Sequence, residues 1–198
     1  MRRYFLLCMF PVLLVLISCN NGPAGQTGKT GATVTAPARP RETPSSDLGI
    51  TGTDLLTQMV ARYYDVKNAL VASKAPQADS AARQLAVTAG VFRRFLDTDT
   101  ANGESLKPFC DTILLSGRAL ATLTDESCER QRLVFGTISG ALFRLVKLAG
   151  LKHSGIYREY CPMAFNEKGA YWLSDITEIK NPYFGKKMLE CGEVTDTL

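Results

Sequence analysis

From Thr53 onward, apolar residues recur every three or four positions, the spacing of one face of an α-helix. Leu56, Met59/Val60, Tyr63, Val66/Lys67 and Leu70 form the first stripe, running to about Ser73, with Thr53 as a cap and Asp54 in the first turn. Pro76 suits the opening turn of a second helix. Its apolar side is Ala78, Ala81/Ala82, Leu85, Ala89, Phe92 and Phe95/Leu96, and its alanines would let it approach the first helix closely. After a polar loop from Asp97 to Glu104, a third helix is predicted from about Leu106 to Leu123, with Ser105 as its cap and Pro108 in its first turn. Thr124 then caps a fourth, whose stripe is Leu133/Val134, Ile138, Ala141/Leu142 and Leu145/Val146, and Gly150 ends it. Short connections make neighbouring helices antiparallel, so the expected fold is all-α: an up-and-down four-helix bundle. Gly136 and Gly140, four apart, read as a site of close helix packing.

Beyond Gly150 the helical period is lost. Tyr157 to Tyr160 has the look of an extended segment, and Asn166 to Gly169 of a turn. Asn181, followed by Pro182, is expected to cap a short helix reaching about Leu189. Residues 151–198 are thus an irregular segment, predicted to fold back over the bundle and bury Trp172, Tyr183 and Phe184.

The start of the chain has a different character. Arg2 and Arg3 precede an apolar run from Tyr4 to Ile17, shorter than the roughly 20 residues a membrane span needs. The run ends in Leu16-Ile17-Ser18-Cys19, which resembles the bacterial lipobox. That resemblance implies a signal peptide over 1–18, cleavage before Cys19 and acylation of Cys19, hence a membrane anchor facing the periplasm. Several acyl chains hold firmly, since each buried methylene contributes about 0.8 kcal/mol. Residues 19–50 carry that cysteine and a linker rich in Gly, Pro, Thr, Ser and Ala. Such a segment buries too little apolar surface to offset its ordering entropy, and as a coil it reaches on the order of 30 Å. The remaining 51–198 suffice for one domain with a single core.

Charge excludes little but is informative. Losing Arg2 and Arg3 takes the formal charge from +4 to about +2, which offers no footprint for nucleic acid. With one His, no CxxC and no recognisable nucleophile–base pair, an enzyme is not expected. Of the six cysteines, Cys8 leaves with the signal and Cys19 is lipidated. Cys110, Cys128, Cys161 and Cys191 remain, in an oxidising compartment that permits disulfides. Cys110 and Cys128 sit at mismatched offsets on the third and fourth helices and read as buried thiols.

The chemistry is concentrated in YCPMAFNEKGAYWLSDITEIKNPYFGKKMLECGEV, Tyr160 to Val194. Cys161 and Met163 share a face if their segment is extended, and Met188 and Cys191 lie about one helical turn apart. Thiolates and thioethers select a soft ion, Cu(I) or Ag(I), over harder ones. Trp172, the only tryptophan, would cover such a cation with its ring. Two readings stay open. Cys161, Met163, Met188 and Cys191 form a soft-metal site under a Trp172 lid. Alternatively, Cys161–Cys191 is a structural disulfide worth about 3 kcal/mol, the methionines fill the core, and the aromatic turn Asn181 to Gly185 docks a protein partner.

The motifs YxxYCPMAF, GAYWLS, EIKNPYFGKKML and CGEV, with YYDVKNALV and the Arg132/Phe135/Ser139 spacing, add a further indication. Over about Thr53 to Val194 the chain resembles a bacterial domain-of-unknown-function family. Its members are small exported proteins and C-terminal extensions of the membrane-fusion adaptors of copper/silver efflux systems. The resemblance implies metal handling, with an efflux adaptor as partner. Cys161, Met163, Trp172, Met188 and Cys191 fall on the motif; Cys110 and Cys128 do not.

Overall fold

Most positions of the three predicted stripes are buried, Leu133 of the last being exposed, and the third helix buries one side as well. In α1 (Gly49–Val71), Leu56, Met59, Tyr63, Val66 and Leu70 are inaccessible to solvent, as are Leu85, Ala89, Phe92 and Leu96 in α2 (Ala75–Thr98). α3 (Gly103–Leu120) contributes Leu106, Cys110 and Ile113, and α4 (Glu129–Leu148) Phe135, Ile138, Leu142 and Leu145. Consecutive helices pack on each other, and α1 and α4 touch more lightly. These elements belong to a computed structural model that describes residues 42–123 and 126–198. The expected signal peptide, Cys19, most of the expected linker and the expected cap Thr124 lie outside the described residues.

The helix ends are set by local chemistry. α4 closes at Gly150, as expected: its φ is +62°, Leu151 N–H bonds the Val146 carbonyl, and a Cβ on Gly150 would come 2.6 Å from the Asp47 carboxylate. α1 ends in the same kind of motif with Ser73 in the left-handed position, φ +53°, and Lys74 N–H on the Ala69 carbonyl. Three starts differ from expectation. α1 begins at Gly49, before Thr53. Ser105 does not cap α3; the Asp99 carboxylate takes the N–H groups of Ala101 and Asn102, and the helix opens at Gly103. A Cβ on Gly103 would lie 2.2 Å from the Leu96 carbonyl oxygen, so α2 and α3 turn tightly only with glycine there. α4 starts at Glu129, after Cys128 with φ +62°. The alanine side of α2 also meets α3, where Ala82 and Ala86 press on Gly117.

The all-α expectation is overturned by the C-terminal segment. β1 (Tyr157–Cys161), β2 (Ala170–Ser174) and β3 (Glu193–Thr197) form an antiparallel sheet in the order β2-β1-β3. Glu159 is paired with Trp172 and Cys161 with Ala170; a register shift between Arg158 and Glu159 breaks the β1–β3 ladder. The strands are five residues long, too short for a period of two to stand out, and β3 alternates among polar residues with little burial. The helix expected over Asn181 to Leu189 also fails to form. Only a 3-10 turn at Gly185–Lys187 is present. Gly185 has φ +54°, which an α-helix cannot continue, and Asn181 N–H bonds the Leu189 carbonyl, closing the segment into a loop. Among the described residues no helix is long and apolar enough to cross a membrane.

Candidate functional site: a cysteine pair beside a buried polar cluster

Strand alternation places Tyr157, Glu159 and Cys161 of β1 on one face with Trp172 and Ser174 of β2. Asn181 brings Cys191 to that face. Its side chain is buried; Nδ2 donates to the Cys191 carbonyl at 2.7 Å, and Oδ1 accepts from Tyr183 N–H at 2.8 Å and from Phe184 N–H at 3.3 Å. Arg132 anchors the other side of the same loop. It donates to the carbonyls of Pro182 (2.9 Å), Ser127 (2.8 Å) and Leu70 (3.3 Å), and to Ser73 Oγ (3.0 Å).

The two sulfurs of Cys161 and Cys191, thirty residues apart in the chain, lie 2.8 Å apart. Cys161 is fully buried and Cys191 partly exposed. The contact with Cys161 raises the Cys191 thiol pKa, and burial adds to this; the Met163 backbone opposes it by bonding the sulfur. The separation is longer than an S–S bond, about 2.05 Å. It is shorter than the roughly 3.7 Å between two sulfurs that each sit about 2.3 Å from a shared tetrahedral ion. Holding an ion therefore requires the sulfurs to part, for which half-open Cys191 has room.

The other predicted residues surround this pair unequally. Met163 has its backbone beside Cys191, while its side chain is 42% exposed. Met188 is half-buried, its carbonyl accepting the Cys191 N–H. Both methionines line a cleft of about 640 Å³ together with Arg132, Phe165 and Lys187. Trp172 is buried; a Cβ on Gly192, next to Cys191, would come 2.8 Å from its ring, and Tyr183 meets it edge-on at 5.8 Å. Among the described residues, no three His, Cys, Asp or Glu side chains are gathered as for a metal ion. Cys110 is buried on α3 against the Ala89 carbonyl, with its thiol pushed up to about 12 chiefly by burial. Cys128 is buried at the start of α4. His153 is a surface residue paired with Glu42.

Periodicity did not single out the most unusual group of the region. Lys67 is 1% exposed, and Nζ donates to Ser174 Oγ at 3.1 Å and to Asp175 Oδ1 at 3.0 Å. Nearby Glu159 is wholly buried, and neither of its oxygens has a hydrogen-bond partner. Burial raises Glu159 to about 7 even though the Lys67 charge favours ionisation; Trp172 and Ser174 lie near enough to favour it slightly, without a bond of normal geometry. Partial burial works against ionisation of Asp175, yet the hydrogen bond and charge of Lys67 hold it below its usual range. Burial, then the Asp175 and Glu159 charges, raise Tyr64, whose hydroxyl has no partner. The only sequence signal was a lysine inside an apolar stripe.

No family model, no curated protein and no solved structure matches the chain.

Proposed function

We propose that this chain is a lipid-anchored protein of the bacterial cell envelope, facing the periplasm. It binds a soft cation, Cu(I) or Ag(I), through Cys161 and Cys191, for resistance or for delivery to an efflux adaptor. The observation that carries this reading is the meeting of two sulfurs from distant points of the chain, 2.8 Å apart, one of them half-open. Met163 and Met188, which line one cleft, are the available thioethers. The motif resemblance described above supports the same reading. Binding displaces thiol protons, so affinity rises with pH, and the raised Cys191 thiol carries that rise to higher pH. The test is anaerobic Cu(I) competition against a chelator, with the full chain in non-ionic micelles. One-to-one binding that vanishes in C161S/C191S, with the helical circular-dichroism signal kept, supports the reading. Equal retention by the double variant overturns it.

A second reading is a structural disulfide in a protein-interaction module, favoured by the closeness of the sulfurs and the complete burial of Cys161. Tyr183 and Asn181 of the aromatic turn are buried, which leaves the half-buried Phe184 ring, at the edge of a cleft, as the part of the turn a partner would meet. Of the four thiols in the domain, an obligate disulfide leaves two titratable after denaturation.

A further inference from the structure

We propose that the cleft between α4 and β2 binds a small organic carboxylate with an apolar body, received edge-on by Arg158. The cleft is distinct from the cysteine pair. It encloses about 490 Å³, within the size of small-molecule sites, and its lining is largely apolar and aromatic. The Arg158 guanidinium carbon lies 4.0 Å from the Phe143 ring centroid and 3.7 Å from that of Tyr171. Rings stacked on a guanidinium occupy its faces and leave the in-plane N–H groups for an acceptor. Among the described residues that acceptor is missing: Arg158 makes no ion pair, and its buried Nε has no hydrogen-bond partner. Asp196, opposite it across β1 and β3, is 3.9 Å from Lys147 instead.

The rest of the cleft suits an apolar body. Gly140 of α4 presents open space, with nothing within 4 Å of the position a Cβ would take, and Gly136 lies against Phe165. Leu133 and Tyr171, both part-exposed, are also in the lining. A carboxylate is the fitting head group because it is planar, accepts two parallel N–H bonds from a guanidinium edge, and carries a single charge into apolar surroundings.

The probe is 4-phenylbutyrate, compared with its uncharged amide, titrated into the full chain in non-ionic micelles. Trp172, the only tryptophan, lines the cleft and gives the fluorescence readout. The expected result is saturable binding of the acid at least tenfold tighter than the amide, weakened at least tenfold in R158Q. G140L, which fills open space in the cleft, abolishes binding with the fold retained. Equal affinity of acid and amide, undiminished binding by R158Q, or no saturable response overturns the proposal. C161S/C191S should bind the acid as wild type does, so this proposal and the soft-cation reading fail separately.

Discussion

In the bundle, most inaccessible positions are filled by apolar side chains such as Leu56, Met59, Leu85, Phe92, Ile113 and Leu142; in the C-terminal segment they include Glu159, Ser174 and Asn181, where Lys67 reaches Ser174 and Arg132 the Pro182 carbonyl from the helices. The first set needs only volume and an apolar surface, and each large side chain contributes about 2–3 kcal/mol wherever it packs. The second set needs partners at defined atoms, since a buried polar group left unbonded costs about 1–3 kcal/mol. The bundle is therefore a tolerant scaffold, and the C-terminal segment is tied to it through a few specific donors. The segment carrying the cysteine pair is the one whose position depends on single side chains.

The strongest challenge to this contrast is a pair of substitutions. L142A should lower the whole unfolding transition by about 3 kcal/mol or more, through lost burial and a cavity. R132A should cost about 3 kcal/mol in the C-terminal segment, because three carbonyls lose a charged donor together. Hydrogen exchange separates them: R132A should expose the amides of β1 and β2 while α2 and α3 stay protected. If R132A instead loosens all four helices equally, the two regions are one cooperative unit and the contrast is wrong.

A pH series sharpens it. Glu159 holds its proton in the folded state up to about pH 7, whereas an ordinary glutamate releases it near 4.5. Between those values the folded state binds more protons, so stability falls as pH rises, by on the order of 3 kcal/mol across the window. Urea midpoints at pH 5 and pH 8 should show this slope. E159Q should flatten it and be the more stable protein at pH 8. N181A should cost about 2 kcal/mol through the bonds to Cys191, Tyr183 and Phe184, and should speed alkylation of Cys191. The smallest effect concerns Cys110: at pH 8 its thiol should resist iodoacetamide in the folded protein and react once urea is added.

How much was legible in the sequence divides along the same line. The stripes of α1, α2 and α4, Pro76 in the first turn of α2 and Gly150 at the end of α4 could be read because each follows a local rule of period or cap. Tyr157 to Tyr160 was visible as extended, but β2 and β3 were not. AYWLS is a short run with no clear period, and EVTDT gains its partner only through β1, more than thirty residues earlier. Asn181 was recognised as a cap and does cap, yet over a loop, since Gly185 turns the backbone out of the helix. Lys67 showed only as a lysine within an apolar stripe and Glu159 not at all, because nothing local tells a buried charge from a solvated one; their meeting depends on tertiary packing alone.

The connection between β1 and β2 has a mechanical consequence. Phe165, Asn166 and Glu167 have φ of +53°, +57° and +65°, three successive residues in a conformation that costs L-amino acids about 1–2 kcal/mol each. Such a turn is a loaded spring clamped at both ends by the strand ladder, four residues from Cys161. Relaxing it at Asn166 with glycine should stabilise the fold by about 1 kcal/mol.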